Sequence, residues 1–123
     1  MLAIECDAGA GVPLGIVTTG DDATQALLRR MAQPLGAIGA SEISHSDETG
    51  ADLIPMHPAG VPQLGLKQDV SDYFEWHHTD GDTADKIDPD AIGKASAALV
   101  IMAAQLADSD EKLARVPPRT PAR

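Results

Sequence analysis

The residues best suited to chemistry are concentrated in one stretch, residues 72–88. It holds the adjacent pair His77 and His78, many carboxylates, and every Phe, Tyr and Trp of the 123-residue chain. Imidazole and ionised carboxylate are the ligands that zinc takes when thiolates are absent, and aromatic rings commonly wall ligand pockets. We therefore expect this stretch to form the functional surface and the rest of the chain to form its scaffold. The aromatic residues are Tyr73, Phe74 and Trp76.

The two histidines are predicted to play different parts. On an extended loop, adjacent side chains point in different directions, so only one imidazole is expected to reach a given metal ion. The other would support the first or line a pocket. From residue types alone, a histidine pair beside aromatic residues is more often structural than metal-binding.

The aspartates of this stretch do not form a calcium loop of the EF-hand type. Such a loop has glycine at its sixth position and a bidentate glutamate at its twelfth. Counting from Asp80, those positions hold Asp85 and Ala91. The stretch is better described as a solvated acidic loop that leads into a helix cap.

Composition limits the classes of partner. A formal net charge of −10 repels nucleic acid and anionic membranes, so neither is expected as a partner. No uninterrupted apolar run approaches the roughly 20 residues that span a bilayer, and no targeting signal follows Met1. Cys6 is the only cysteine, so an internal disulfide is excluded and the redox compartment stays open.

The pattern of elements predicts one α/β domain, residues 1–115. Strands are expected at residues 2–5, 41–44 and 61–66, with a turn-rich loop after the first. A helix is expected from Asp21 or Asp22 to about residue 33, with Ala23, Ala26, Leu27 and Met31 on one face. A brief helix is expected to start at Asp52 and to stop at Gly60.

The clearest predicted element is a long helix that starts at Asp88, with proline at its first position. Its apolar residues recur at helical spacing to about residue 106, so it should cover one face of the sheet. Residues 116–123 contain too much proline and too little apolar surface to fold, and we expect a flexible tail there. The apolar residues of this helix are Ile92, Ala95, Leu99, Met102, Ala103 and Leu106.

Four segments in order give the chain a resemblance to a known family: residues 3–9, 50–55, 60–62 and 73–83. Together they resemble the C-terminal part of the two-zinc exopeptidases of metallopeptidase family 28, over residues 2–110. The resemblance implies a mostly parallel sheet flanked by helices, of the phosphorylase/hydrolase-like type, with two zinc ions at the carboxyl ends of its strands.

The resemblance also implies roles for individual residues. Asp7 matches the carboxylate ligand of one zinc ion, and His78, directly before Thr79, matches the late histidine ligand of the other. His77 would support the metal ligand or line the pocket, and Asp80 or Asp82 would orient His78. Tyr73 and Trp76 would wall the substrate pocket, whereas Phe74 would wall the pocket or pack beneath it.

Several parts of the family site have no match in this chain. The early histidine, the bridging aspartate and the Glu-Glu pair, which includes the general base, would all precede Met1, so no catalytic base is expected here. The resemblance therefore implies a fragment that is inactive alone, with uncovered sheet edges that favour self-association. A secreted or periplasmic parent enzyme is compatible with this, but the compartment stays open.

Two functions follow from these expectations. The first is hydrolysis of a peptide bond at a chain end by a zinc aminopeptidase, carboxypeptidase or dipeptidase to which this chain contributes part of the site. The second is a non-catalytic acidic binding module that retains the fold and contacts a peptide or protein through the aromatic loop.

Overall fold

A computed structural model, described here for residues 1–118, contains a four-stranded mixed sheet with helices packed against it. The strands are β1 (Ala3–Glu5), β2 (Pro13–Thr18), β3 (Glu42–His45) and β4 (Gln63–Gln68). Their order in the sheet is β1-β4-β2-β3. β1 is parallel to β4 and β2 is parallel to β3, whereas the central pair β2 and β4 is antiparallel.

The predicted α/β class is confirmed, but the sheet contains one strand that was not predicted. β2 lies after the first strand, in a part of the chain for which the sequence predicted a turn-rich loop and no strand. It occupies the centre of the sheet, with Ile16 buried against the core and Leu14 more than a third exposed. Because β2 runs against β4, the sheet is mixed, and the other two of its three strand pairings are parallel, as expected for a mostly parallel sheet.

Helix α1 (Asp22–Met31) begins as predicted, with the Asp21 carboxylate accepting a hydrogen bond from the Thr24 amide at 2.9 Å. Hydrogen bonds from Thr24 hold the pKa of Asp21 below its ordinary value. The predicted apolar face is partly wrong, because Ala23 and Ala26 are exposed. The buried positions of α1 are Thr24, Gln25, Leu27, Leu28 and Met31.

After the short helix α2 (Tyr73–Trp76), helix α3 (Pro89–Asp108) confirms the predicted cap, because the Asp88 carboxylate accepts from the Asp90 amide at 2.9 Å. Ala95 and Met102 are buried, whereas Ile92 and Ala103 of the predicted apolar face are exposed. The face turned to the sheet is therefore made mostly of small side chains. The fully buried residues of α3 are Ala91, Ala95, Ala98 and Met102.

Helix α3 is also long and apolar enough to cross a membrane by length and composition alone, with a mean hydropathy of 1.3. Lys94 and Ser96 divide its sequence, so the helix contains no uninterrupted apolar run of that length. Core helices and signal sequences pass the same test, so one such helix is weak evidence for a membrane span.

A 3₁₀ helix (Ala51–Ala59) replaces the predicted brief helix between β3 and β4. Asp52 does not cap it. The cap position is Gly50, which makes no side-chain cap bond, and Asp52 lies within the helix. Pro55 and Pro58 lie inside the segment, where the missing amides are incompatible with a continuous α-helix.

A buried polar network fastens this segment to β4. The fully buried Gln63 side chain donates to the Leu53 carbonyl at 2.6 Å, and its amide oxygen lies 3.1 Å from His57 Nε2. Thr49 Oγ1 donates to the same oxygen at 3.3 Å. This network could not be predicted from the sequence, because Gln63 and His57 are polar residues of ordinary type that only the fold buries.

The described chain continues past the predicted domain boundary at residue 115. Val116 is buried, and its amide donates to the Gly60 carbonyl at 3.1 Å, so the prediction that the tail begins at residue 116 is wrong for this residue. One apolar side chain and one backbone bond are enough to anchor the segment here. Residues 119–123, the rest of the predicted tail, lie outside the described residues.

Candidate functional site

The two predicted metal ligands follow strands that end at the same edge of the sheet. Asp7 comes two residues after β1, and the loop that carries His78 follows β4. β1 and β4 are parallel neighbours, so their carboxyl ends lie together. This is the edge at which open α/β sheets usually place ligands. The fold therefore supplies a physical basis for grouping the Asp7 loop with the His78 loop.

Close contacts join the two loops directly. A Cβ atom on Gly9 would lie 2.7 Å from Cδ2 of Tyr73, and one on Gly11 would lie 1.9 Å from the carbonyl oxygen of Asp69. Gly9 also has a φ of +81°, a conformation that glycine adopts without steric cost. Any larger residue at these two positions would separate the loops.

The histidine pair contradicts the sequence prediction. Residues Tyr73–Trp76 form a short helix, α2, instead of extended loop, and His78 has a φ of 59°, the only positive φ of a non-glycine residue described. Because of this left-handed turn, the side chains of residues 77 and 78 do not point in alternate directions as they would on an extended chain. The rings of His77 and His78 consequently stack, with centroids 3.7 Å apart and planes at 25°.

The stack continues beyond the histidines. The ring of Tyr73 lies on the other face of His77, with centroids 4.4 Å apart, and its hydroxyl is 3.5 Å from His77 Nε2. Phe74 meets Tyr73 edge to face at 5.0 Å but remains 80% exposed. Among the described residues, Phe74 therefore has little packing role, whereas His77 is enclosed between two rings.

The acidic residues do not hold His78 in the predicted way. In the described part of the chain, neither Asp80 nor Asp82 forms a hydrogen bond to its imidazole through a carboxylate. The turn is held instead by Thr79, whose hydroxyl donates to the Trp76 carbonyl at 2.7 Å and accepts from the Gly81 amide at 3.2 Å. Asp82 is instead a lining residue of the neighbouring cavity.

A cavity of about 310 Å³ opens between the Asp7 loop, α2 and the start of α3. Of the predicted pocket residues, Tyr73, Trp76, His77 and Asp82 line it. Asp7 and His78 do not, so the cavity lies beside the predicted metal ligands rather than around them. The cavity and the two predicted metal ligands are therefore separate features of this edge.

Glu5 is a feature of this edge that the sequence reasoning missed. Its Oε2 atom is buried without a hydrogen-bond partner among the described residues, and its Oε1 lies 3.4 Å from the Asp52 amide. A Cβ on Gly50 would come within 2.1 Å of the Glu5 carboxyl carbon. The glycine thus gives the carboxylate room to lie against the backbone at the start of the 3₁₀ helix.

The residue between Glu5 and Asp7 behaves as a neutral thiol. Burial and, to a smaller extent, the charge of Asp7 raise the pKa of Cys6. Its Sγ lies 3.4 Å from the side-chain oxygen of Gln68. A raised pKa disfavours the thiolate that nucleophilic attack or metal ligation requires, although Cys6 is exposed.

Asp7 and His78 are ligands of the kinds that zinc uses, but two ligands do not make a complete zinc site. Asp7 offers a carboxylate and His78 an imidazole, both regular zinc ligands. No group of three or more His, Cys, Asp or Glu side chains able to hold a metal occurs within residues 1–118. Zinc sites ordinarily use at least three protein ligands. A complete centre would therefore need donors beyond these residues.

Comparison with known proteins gives a consistent result. A sequence model of peptidase family M28 matches residues 6–104. Carboxypeptidase Q from Mus musculus is 33% identical over 114 residues, and that from Homo sapiens is 32% identical over 115 residues. Each alignment covers 93% of this chain but only 24% of the relative.

A solved structure supports the same likeness. The peptidase M28 precursor from Shewanella amazonensis SB2B aligns with a TM-score of 0.74 and 36% sequence identity. The alignment covers 96% of this chain and 27% of that protein. The chain thus spans about a quarter of the length of the proteins that it matches.

Proposed function

Because this chain belongs to peptidase family M28, we propose that it contributes one ligand for each zinc ion of a two-zinc exopeptidase, with Asp7 on one ion and His78 on the other. The observation that carries the proposal is the family match over residues 6–104, which includes both residues. Their loops leave adjacent parallel strands at one edge of the sheet, which supports a shared site.

The chemistry of such a site is hydrolysis of a peptide bond at a chain end. When bound, two zinc ions would lower the pKa of a water molecule and polarise the peptide carbonyl. The residues of this chain contribute ligation and positioning: Asp7 holds negative charge at the end of β1, and the Tyr73–His77 stack fixes the plane of the His78 ring. The general base and the remaining ligands would come from outside this chain.

The proposal predicts that the chain alone binds zinc weakly and does not hydrolyse peptides. Two donors give fewer bonds than the three or more of ordinary zinc sites. Activity should require the part of the relatives that the chain does not span. These expectations separate the enzyme hypothesis from a stand-alone binding module, for which the missing three quarters would be irrelevant.

A chimaera tests the proposed ligands. The matched quarter of mouse carboxypeptidase Q is replaced by this chain, and zinc content and dipeptide hydrolysis are measured. We expect zinc retention and hydrolysis in the chimaera, and His78→Ala to lower the rate by more than about 100-fold with loss of bound zinc, since even residues that only support a ligand are worth 10–100-fold. His45→Ala, an exposed histidine on β3, is the matched control and should change neither quantity. A folded, zinc-loaded chimaera whose hydrolysis survives His78→Ala would refute the assignment.

A further inference from the structure

Glu5 carries a carboxylate that the proposed reaction does not use. The residue is partly buried at the end of β1, and it forms no ion pair within residues 1–118. Its Oε2 atom is buried there without a hydrogen-bond partner. Since buried carboxylates are ordinarily paired with a cation or with several donors, one oxygen of Glu5 lacks the contact that its burial requires.

The register of the sheet turns the Glu5 side chain away from the hydrophobic core. Glu5 is paired with Gly65 of β4, and paired residues of neighbouring strands point to the same face of a sheet. Ile4 and Leu64, one position earlier, point to the opposite face and pack in the core. The face that Glu5 shares with Gly65 is covered by residue 49 and by the 3₁₀ helix that follows it.

Two glycines shape the surroundings of the Glu5 carboxylate. Gly65 has no side chain, and a Cβ atom there would lie 2.6 Å from the Thr49 carbonyl oxygen. A Cβ atom on Gly50 would overlap the Glu5 carboxyl group. The Asp52 amide donates to Glu5 Oε1 at 3.4 Å, so the carboxylate lies along the backbone at the start of the 3₁₀ helix. The surroundings therefore fit a carboxylate whose Oε1 has a donor and whose Oε2 does not.

The place of Glu5 in the chain connects it to the proposed zinc ligand Asp7. Glu5 is the last residue of β1 that pairs with β4, and Asp7 follows two residues later. Asp7 is exposed, so packing does not hold its side chain. The chain is held on either side of it, at Glu5 by the Asp52 amide and at Gly9 by contact with the Tyr73 ring. The Glu5 carboxylate is thus the last side-chain contact of β1 before the ligand.

We propose that Glu5 is a positioning residue that holds Asp7 in place by accepting two hydrogen bonds. Oε1 accepts from the Asp52 amide, and Oε2 accepts from a lysine or arginine in the part of the enzyme that this chain does not span. The step rests on the proposed function, because the second donor belongs to the remaining three quarters of a family M28 peptidase. A cation is the fitting donor, since Glu5 has no ion pair within residues 1–118 and buried carboxylates are rarely left unpaired.

Glu5→Gln tests the second donor, because glutamine keeps the size of the side chain but removes its charge and one acceptor. In this chain, where Oε2 has no partner, the substitution removes an unpaired buried charge and should raise the midpoint of urea denaturation. In the chimaera with mouse carboxypeptidase Q, stripped of zinc by a chelator, it leaves the cation unpaired and should lower the midpoint. A side chain that only fills space would not change sign between the two proteins.

Glu48→Gln is the matched control for the loss of charge. Glu48 is exposed on the same side of the 3₁₀ helix in sequence, and its substitution should leave both midpoints unchanged. Shifts of the same sign in both proteins, or an unchanged midpoint in the chimaera, would overturn the proposed second donor.

The positioning of Asp7 is tested by zinc binding to the chimaera, measured by competition with a chromophoric chelator. Glu5→Ala should weaken one of the two zinc ions by about tenfold and leave the other as it was, because only one ion is bound by Asp7. A general structural fault would weaken both ions, and this result would contradict a positioning role.

Gly50→Ala reaches the same contact from the other side. Its Cβ would displace the Glu5 carboxylate, so it should weaken the same zinc ion. Added to Glu5→Ala, it should cause no further loss, because the shorter side chain removes the overlap. Additive losses would show that the two residues act separately and would overturn the proposed contact.

A crystal structure of the zinc-free chimaera identifies the donor. We expect a lysine or arginine nitrogen about 2.7–2.9 Å from Glu5 Oε2, whereas a water molecule, a neutral group or no partner would overturn the proposal. If Glu5→Gln acts alike in both proteins while His78→Ala still abolishes hydrolysis, the role of Glu5 alone is refuted. Opposite signs together with hydrolysis that survives His78→Ala would contradict the proposed function alone.

Discussion

At the scale of single residues, the unusual backbone of His78 decides how the candidate site is arranged. Its φ of 59° brings its ring onto His77, which lies on Tyr73. A non-glycine residue in this conformation costs roughly 1–2 kcal/mol, so the surrounding contacts must stabilise it. The stack is the contact best placed to do so, and it gives His77 a positioning role beside the proposed ligand.

The positioning role predicts a difference between two substitutions of His77. His77→Ala removes the stack and should weaken zinc binding to the chimaera with mouse carboxypeptidase Q by about tenfold, the lower range for residues that orient a metal ligand. His77→Phe keeps an aromatic ring between Tyr73 and His78 and should retain most of the affinity. Competition with a chromophoric chelator measures both, and equal losses in the two variants would exclude stacking as the cause.

The sequence could predict the identity of these residues but not their geometry. Asp7 and His78 stand out through the order of the family segments around them. The left-handed turn at His78 depends on the Thr79 bonds to Trp76 and Gly81, which no residue-type pattern specifies. Glu5 was missed for a related reason, since its burial depends on Gly50, 45 positions away in the chain.

At the scale of elements, the helices that could be predicted were those with strong signals in their own sequence. α1 and α3 were placed correctly because Asp21 and Asp88 are strong caps and the apolar residues repeat with helical spacing. β2 was missed because it contains Pro13 and Gly15, which are typical of loops. Gly15 is required for packing with β3, a contact that only the folded sheet shows.

That contact makes Gly15 a sensitive position. A Cβ there would lie 2.0 Å from the carbonyl oxygen of Glu42, and a backbone atom within the sheet cannot easily move away. Gly15→Ala should lower the free energy of unfolding by about 3 kcal/mol, at the upper end of overpacking costs. Gly36→Ala is the matched control, since its Cβ would meet nothing within 4 Å, and should change stability by less than about 1 kcal/mol. Urea denaturation compares the two, and similar midpoints would contradict the predicted clash.

At the scale of the whole molecule, sheet edges and net charge have opposite effects on self-association. β1 and β3 are the outer strands of the described sheet, and each presents one unpaired edge. The formal charge of −10 keeps copies apart at low ionic strength. The two edges also differ: Glu42 on β3 forms an ion pair with Lys67, whereas β1 contains the partly buried Ile4 and is preceded by the partly buried Leu2. Charge protects β3, so β1 is the edge expected to associate.

This difference predicts salt-dependent self-association through β1. The Debye length falls from about 10 Å at 0.1 M salt to about 3 Å at 1 M, so higher salt should raise the mass measured by sedimentation equilibrium. The Ala3 amide donates to Pro62, so in a parallel pair the next amide, that of Ile4, faces outward. Ile4→Pro should therefore block association without removing a bond to β4. His45→Pro removes the corresponding outward amide of β3, because Ser46 donates inward to Thr18, and should leave association intact. A mass that does not rise with salt, or that responds to His45→Pro instead, would show that β1 is not the associating edge.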